Sequence, residues 1–411
     1  MEDVRGLTQN VGRMRTMYRL LALGAFLSLV CSASATAATS AATTKVATQL
    51  KADLQAYLAS RGAPEHISAA SLSVSLPDGR FIDVAAGTDA YGGGAPVTPA
   101  NLFQIGSNTK AFTAIVALKL QAQHKLTIDD TVGKWLPQYP AWKAATIDRL
   151  FDMTTGIPTY DDSFDMQRDY SRNPVRDFTP AELIAYVDPK SPLKHVWLYS
   201  NTGYALAEMI EEKAAGKSFT DLIRDMVIAP TGIKDLYYYP GVYPAELRAR
   251  TVQGYFYNPT PENAGFKPMV GKSQRDYSLS WAGAAGAMVA TPHAVAAWAR
   301  DLYQGSVLTT AERARMERLV SQKTADPIAD TSASDSRGFG LGLAKLYMPG
   351  LGSFWFYEGT TLGYRVLHAY FPKENVVLAF GLNSQPPDGH NNAGQLVQTI
   401  VNTLKANGLF H

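Results

Sequence analysis

Segments with strand-like alternation occur near the two ends of this chain of 411 residues, and the long middle shows no clear strand pairing. Residues 71–76 alternate, Pro77-Asp78-Gly79 has the composition of a hairpin turn, and residues 81–86 return as a second strand. Late in the chain, residues 353–357 form an aromatic run, and residues 364–371 and 375–382 read as a hairpin closed around Pro372-Lys373-Glu374. Between residues 126 and 285 the pattern is helical, with helices predicted over 146–153, 180–187, 203–214 and 219–228 and turn signals between them. The simplest assembly is an α+β fold. One antiparallel sheet is built from both chain ends, amphipathic helices at 46–60 and 392–404 pack on it, and a helical insertion lies beside it. This predicts a sheet domain of residues 39–113 and 286–411, a helical domain of residues 114–285, and a site in the cleft between them.

The charges of this chain nearly balance, at 38 basic and 36 acidic residues, and no basic patch stands out. That argues against nucleic acid as a partner. Arg13, Arg15 and Arg19 precede an apolar run at residues 20–30, and Ala33-Ser34-Ala35 and Ala35-Thr36-Ala37 offer small-residue cleavage sites. The run is too short to span a bilayer. Residues 1–38 are therefore expected to be a cleaved secretory signal, with an uncleaved anchor as the alternative. The expected location is periplasmic or secreted, without stable membrane insertion. Cys31 is the single cysteine, and cleavage would remove it. Disulfides, thiolate metal sites and a cysteine nucleophile are then excluded.

The stretch Phe103-Gln104-Ile105-Gly106-Ser107-Asn108-Thr109-Lys110 reads as an extended approach, a glycine turn and a helix start. Ser107 and Lys110 are three apart and so share a helix face. A hydroxyl at the positive end of the helix dipole, with a lysine one turn further in, has the makings of an activated nucleophile. The pattern alone is cheap: Ser191-Pro192-Leu193-Lys194 repeats it without a glycine turn before it or an apolar helix after it, and reads as a surface turn. Two other segments add chemistry. Tyr199-Ser200-Asn201 places a phenol and an amide two apart before a helix. Tyr357-Glu358-Gly359-Thr360 lies on a late strand, where a glycine allows close backbone approach. The histidines are scattered singly and read as structural or surface residues.

These three segments, in this order, resemble the motifs of the serine β-lactamase and penicillin-recognising DD-peptidase superfamily. The likeness is strongest to its class C β-lactamase branch, with the DD-carboxypeptidases, esterases and D-aminopeptidases of that branch. Connecting segments such as 126–137, 150–158, 281–291 and 338–342 look like the family too. The resemblance implies an acyl-enzyme mechanism. Ser107 would attack a carbonyl, Lys110 and Tyr199 would manage its proton as a coupled pair, and Asn201 would hold the acyl amide. The backbone N–H groups of Ser107 and Thr360 would form the oxyanion hole. It implies no metal or cofactor, and a small-molecule or peptide substrate such as a peptidoglycan stem peptide or a β-lactam.

The third segment departs from the family pattern. Tyr357 stands where a lysine or histidine is usual, and Glu358 where threonine or serine is common. A carboxylate facing the cleft would repel a substrate carboxylate by about 4 kcal/mol at ~4 Å and an effective dielectric of ~20. Arg365 lies close enough in sequence to neutralise Glu358 or to bind the substrate carboxylate itself. Tyr357, Glu358, Gly359, Thr360 and Arg365 thus join Asn201 as expected substrate-binding residues. Three readings follow: a D-alanyl-D-alanine carboxypeptidase-like or β-lactamase-family hydrolase, a family esterase or D-amino-acid amidase, and a non-catalytic ligand-binding protein on the same fold.

Overall fold

A computed structural model describes residues 43–411; the expected leader, with Cys31, lies outside the described residues. The chain divides into two units, Met1–Leu50 and Lys51–His411. In the first, residues 43–50 are helical. The second unit carries everything that follows. Among the described residues no helix is long and apolar enough to cross a membrane.

Nine strands form one antiparallel sheet, with both chain ends at its heart. They are β1 (Ala69–Ser75), β2 (Phe81–Gly87), β3 (Leu319–Ser321), β4 (Pro327–Ile328), β5 (Arg337–Phe339), β6 (Ala344–Met348), β7 (Gly352–Thr360), β8 (Arg365–Phe371) and β9 (Val376–Leu382). The order across the sheet is β2-β1-β9-β8-β7-β6-β5-β3-β4. β1 pairs with β9 so that Ala70 faces Leu382 and Ser75 faces Val377. The fold class is α+β, as the end-loaded strand pattern predicts. The 364–371 and 375–382 hairpin is present, closed by a turn in which Asn375 takes a φ of 53°. The sequence reading missed β3 to β6, whose short or exposed stretches lack a full alternation. It also missed Leu236–Tyr238 and Tyr255–Phe256 in the middle of the chain. The first pairs with Met288–Ala290 and the second with Ser384–Gln385. At two or three residues, neither has room to show a period.

Helices cover the sheet, since β1, β8 and β9 are buried along their whole length. The helices used below are α1 (residues 51–65), α2 (Thr109–Ala122), α3 (Asn201–Ala215), α4 (Pro292–Gln304) and α5 (Ala393–Ala406). The small serines of β1 let α4 approach. Arg300 of α4 donates from Nε to Ser75 Oγ at 2.7 Å and from Nη1 to Asn375 Oδ1 at 2.9 Å, so one guanidinium ties a helix to two strand ends. Phe112 of α2 stacks on Trp298 of α4 at 3.7 Å. α2 is therefore enclosed on nearly every side from Thr109 to Leu118, as its run of apolar residues predicts. α5 buries Leu396, Val397, Ile400, Val401 and Leu404 at helical spacing, and its Thr403 donates to Asp53 of α1 at 2.6 Å.

Arg365 is not where a substrate could reach it, which corrects the expectation for this residue. It is 1% exposed and forms an ion pair of 2.7 Å with Glu65, itself 0% exposed, at the end of α1. Its Nε donates to Ser384 O at 2.8 Å and its Nη1 to Asn391 Oδ1 at 2.7 Å. Glu65 also accepts from Tyr57 at 3.0 Å and Arg61 at 2.8 Å. Removing one member of a buried pair strands the other charge, at a cost of several kcal/mol. Arg365→Met is expected to lower unfolding free energy by about 3 kcal/mol in urea titrations. It should leave the KM of the folded fraction unchanged, even for carboxylate-bearing substrates. A selective rise in KM without loss of stability would return Arg365 to the cleft.

Candidate active site

The Ser107 turn is shaped by two glycines in backbone contact. Ile105 N donates to Met288 O at 3.0 Å, which brings the short strand Phe103–Gln104 against Met288–Ala290. Gly106 then turns the chain with a φ of +51°, and a Cβ there would come within 2.7 Å of Thr360 N. A Cβ on Gly359 would stand 1.9 Å from Ile105 O and 2.8 Å from Ser107 N. No side chain fits at either position, so strand β7 and the Ser107 turn meet main chain to main chain. Ser107 sits in a single 3-10 turn, Gly106–Asn108, that leads into α2. β6 pairs with β7 only as far as Phe356, so Tyr357 to Thr360 run on with that edge unpaired toward the cleft.

Three catalytic candidates converge on one oxygen. Ser107 Oγ lies 2.5 Å from Tyr199 Oη and accepts from Lys110 Nζ at 3.0 Å. Lys110 is fully buried on α2 and donates also to Asn201 Oδ1 at 2.7 Å and Ala285 O at 2.9 Å. Those three acceptors use every proton an ammonium carries. The Nζ also stands 4.8 Å from the Tyr199 ring centroid and 5.1 Å from that of Tyr204, over π faces that favour a cation.

Asn201 is not the cap of α3. Ser200 caps it, accepting from Gly203 N at 3.3 Å, and Asn201 as first helical residue keeps its amide for the site. Its Oδ1 faces Lys110, while its Nδ2 donates to Asp161 Oδ2 at 2.9 Å. One N–H of that nitrogen is left over for a substrate carbonyl. Asp161 is held by the hydroxyl of Thr159, which in turn accepts from Asn201 N at 3.1 Å. The Ala285 carbonyl is aimed by its neighbour: Ala284 O accepts from Thr113 at 2.6 Å and Ala284 N donates to Glu208 at 3.1 Å.

A cleft of about 330 Å³ opens over this cluster. Its lining includes Ser107, Tyr199, Asn201, Trp281, Glu358 and Thr360, together with Asp161 and Asp162. Glu358 therefore faces the cleft, steadied by Asn391 Nδ2 at 2.9 Å. Asn391 is bonded to Arg365 through its other amide atom, so it stands between the two charges that were expected to meet. Burial, then Asp161 and then Glu262 raise the Asp162 carboxyl above its ordinary range, as expected where no cation answers it. Tyr357 is buried behind the lining, so its side chain does not contact substrate space, and Gly359 is buried against the Ser107 turn. The duplicate at Ser191 and Lys194 has no helix, with Ser191 half-buried and Lys194 exposed. Among the described residues, no three histidine, cysteine, aspartate or glutamate side chains converge to hold a metal ion.

The sequence reading missed Asp161, Asp162, Asn391 and the carbonyl of Ala285. Two adjacent aspartates in a turn look like any solvated loop, and a backbone carbonyl carries no residue signature.

Behind Ser107 runs a buried polar chain. Asn108 Nδ2 donates to Ile105 O and Val366 O, both at 2.8 Å, clamping the turn to β8. Its Oδ1 accepts from His368 Nδ1 at 2.7 Å, which leaves His368 Nε2 to accept from Tyr303 at 3.1 Å. This neutral tautomer satisfies every partner, and burial drives the His368 pKa down to about 3. An unfolded histidine takes up its proton near pH 6.5. Between those values the unfolded chain binds more protons, so this stability is whole above pH 6.5 and is lost as pH falls toward 3. From pH 7 to pH 5 the native protein should lose about 2 kcal/mol more than His368→Gln does, in urea titrations at both pH values. Equal losses would mean the imidazole is not held neutral.

Residues 54–400 match the model of the Beta-lactamase family. The chain is 32% identical over 168 residues to penicillin-binding protein 4* of Bacillus subtilis (strain 168), covering 40% of this chain and 36% of that one. It is 26% identical over 163 residues to a teichoic acid D-alanine hydrolase of Staphylococcus aureus, covering 40% of this chain and 38% of that one. The chain thus spans less than half the length of these curated relatives. Among solved structures, the D-amino acid amidase of Ochrobactrum anthropi SV3, complexed with L-phenylalanine amide, superposes with a TM-score of 0.71 at 22% identity. That match covers 89% of this chain and 99% of the other. A D-stereospecific amidohydrolase from Streptomyces sp. gives 0.69 at 23% identity, over 85% of this chain and 97% of that one. At these identities the structural likeness is one of fold.

Proposed function

Since the chain belongs to the Beta-lactamase family, a family of serine hydrolases, we propose that it cleaves amide or ester bonds through an acyl-enzyme formed on Ser107. The observation that carries this is the Ser107 oxygen held at once by Tyr199 at 2.5 Å and Lys110 at 3.0 Å. Lys110 and Tyr199 act as a coupled pair that takes the proton of Ser107 through the Tyr199 oxygen. Lys110 steadies the Ser107 oxygen from its other side. The Ser107 oxygen bonds to the carbonyl carbon, and the oxyanion settles against the N–H groups of Ser107 and Thr360, whose segments the two glycines bring together. Tyr199 returns the proton to the leaving nitrogen or oxygen as that bond breaks. Water then gives a proton to Tyr199 and its oxygen bonds to the acyl carbon; the bond from that carbon to the Ser107 oxygen breaks, Tyr199 returns the proton to Ser107, and the acid leaves.

The lining of the cleft narrows the substrate. Asp161, Asp162 and Glu358 face it, Lys110 is occupied, and Arg365 is withdrawn. A free carboxylate meets repulsion there, and an ammonium meets attraction. This favours the esterase or D-amino-acid amidase reading over cleavage of D-alanyl-D-alanine termini. Amides of D-amino acids, the substrate class named for one structural neighbour, carry such an ammonium. The leader-like residues 1–38 support action outside the cytoplasm.

Turnover of D-alanine p-nitroanilide, its N-acetyl derivative and a short p-nitrophenyl ester tests both steps. Ser107→Ala should lower kcat on the order of 10³-fold or more and abolish the covalent adduct seen by mass spectrometry. Retained turnover in that variant overturns the mechanism. The free amine should be preferred over its N-acetyl form by about tenfold, and Glu358→Gln or Asp162→Asn should shrink that ratio severalfold. Preference for the acetylated compound would remove the ammonium reading while leaving the hydrolase intact.

A further inference from the structure

Gln167 stands outside the catalytic cluster, fully buried in the middle of the helix Phe164–Arg172. A buried amide has two N–H donors and an oxygen to satisfy, and this one spends all of them on main-chain groups. Its Nε2 donates to Asp161 O at 2.8 Å and to Glu262 O at 2.6 Å, and its Oε1 accepts from Gly265 N at 2.9 Å. The reverse orientation would set an oxygen against two carbonyls, so the amide fits one way round. The two carbonyls belong to segments far apart in sequence, and both segments line the cleft. Asp161 and Asp162 lie on one, Asn263 and Phe266 on the other.

The second segment makes its other backbone bonds within itself. Thr260 N donates to Asn258 O, Asn263 N to Thr260 O and Phe266 N to Asn263 O. From outside it is held by Gln167 and by Ser171, one turn further along the helix, which donates to Gly265 O at 2.8 Å. Gly265 lies directly on that helix: a Cβ there would stand 2.5 Å from Gln167 Cβ and 2.9 Å from Phe164 O. Phe266 follows, with its ring 6.0 Å from that of Tyr170 and 6.3 Å from that of Trp281. The carboxylate of Asp161, by contrast, is held by Thr159 and Asn201 without help from Gln167. The bonds around Ser107 and Lys110 and those that set the Phe266 wall are therefore separate.

We propose that Gln167 is a positioning residue for substrate selection, which fixes how far the apolar wall at Phe266 stands from the carboxylates of Asp161 and Asp162. A substrate that presents an ammonium to those carboxylates and an apolar side chain to Phe266, Trp281 and Leu362 uses both walls at once. Its binding depends on their spacing, because one of its groups is drawn off its partner when the walls shift. A short acyl ester reaches Ser107 without either wall and is indifferent to that spacing. This rests on the Ser107 hydrolase reading and deepens it. The substrate class it names is an amine whose cation and apolar body lie a set distance apart.

The test compares D-phenylalanine p-nitroanilide with p-nitrophenyl acetate in Gln167→Met and, separately, in Gly265→Ala. Gln167→Met keeps the length of the side chain and loses its three hydrogen bonds, while Gly265→Ala pushes the same segment off the helix. In each variant KM for the anilide should rise about tenfold with kcat within about twofold of wild type. Both constants for the acetate should stay within about twofold. A purely structural role would instead lower kcat for both substrates together, in proportion to the folded protein lost, and leave both KM values unchanged. That result, or an equal rise in the two KM values, overturns the proposal. Should Gln167→Met not fold, Gly265→Ala carries the same comparison. If wild type turns over neither substrate, the hydrolase reading fails and calorimetric binding of D-phenylalanine amide decides this one. Binding about tenfold weaker in the variants supports it, and unchanged binding overturns it.

Discussion

The ammonium of Lys110 and its three acceptors set the terms for the rest of the molecule. One acceptor is in the 3-10 turn that leads into the same helix, one heads α3, and one is a main-chain carbonyl in the turn Gly283–Gly286. A charge with no exposure is tolerable only if each proton finds an oxygen. The three segments are therefore bound to one arrangement. Thr113 and Glu208 hold the third acceptor from behind, and Asp161 holds the second by its other amide atom. Moving any of them would leave part of a buried cation unanswered.

Two backbone contacts complete the arrangement from the sheet side. Gly106 and Gly359 bring the nucleophile turn against β7 at distances a methyl group would close, and Asn108 clamps the same turn to β8. Ser107 is thus fixed by rigid elements on both sides, while the cleft above it remains open. Its charge is the opposite of what a carboxylate-binding site needs. The one arginine near the third segment in sequence is spent on Glu65, in an ion pair that ties α1 to β8. The same residue type that would recognise an anion in the cleft is used here to close the fold.

Much of this was legible beforehand because it rests on local pattern. The long alternating runs announced the sheet and its two-ended origin. The enclosed helix after Ser107 could be read from an unbroken run of apolar residues. Ser107, Lys110, Tyr199 and Asn201 were singled out by chemistry and order, and the fold links all four in one chain of hydrogen bonds. Strands of two or three residues, such as Leu236–Tyr238, were not legible, because a period of two needs more length to appear.

What a side chain faces was decided by tertiary structure. Arg365 and Glu358 stand seven apart in sequence on adjoining strands, yet one is buried against Glu65 and the other lines the cleft, with Asn391 between them. Tyr357, expected to touch substrate, is turned inward and buried. Asp161 acquires its role from Asn201 on another element. By itself, the sequence determined which functional groups the chain carries and the kinds of element that hold them, since nucleophile, base and glycine contact are matters of residue type and short spacing. Which charges meet, and hence what the cleft would accept, depended on long-range packing, because a partner's distance in space bears no fixed relation to its distance along the chain.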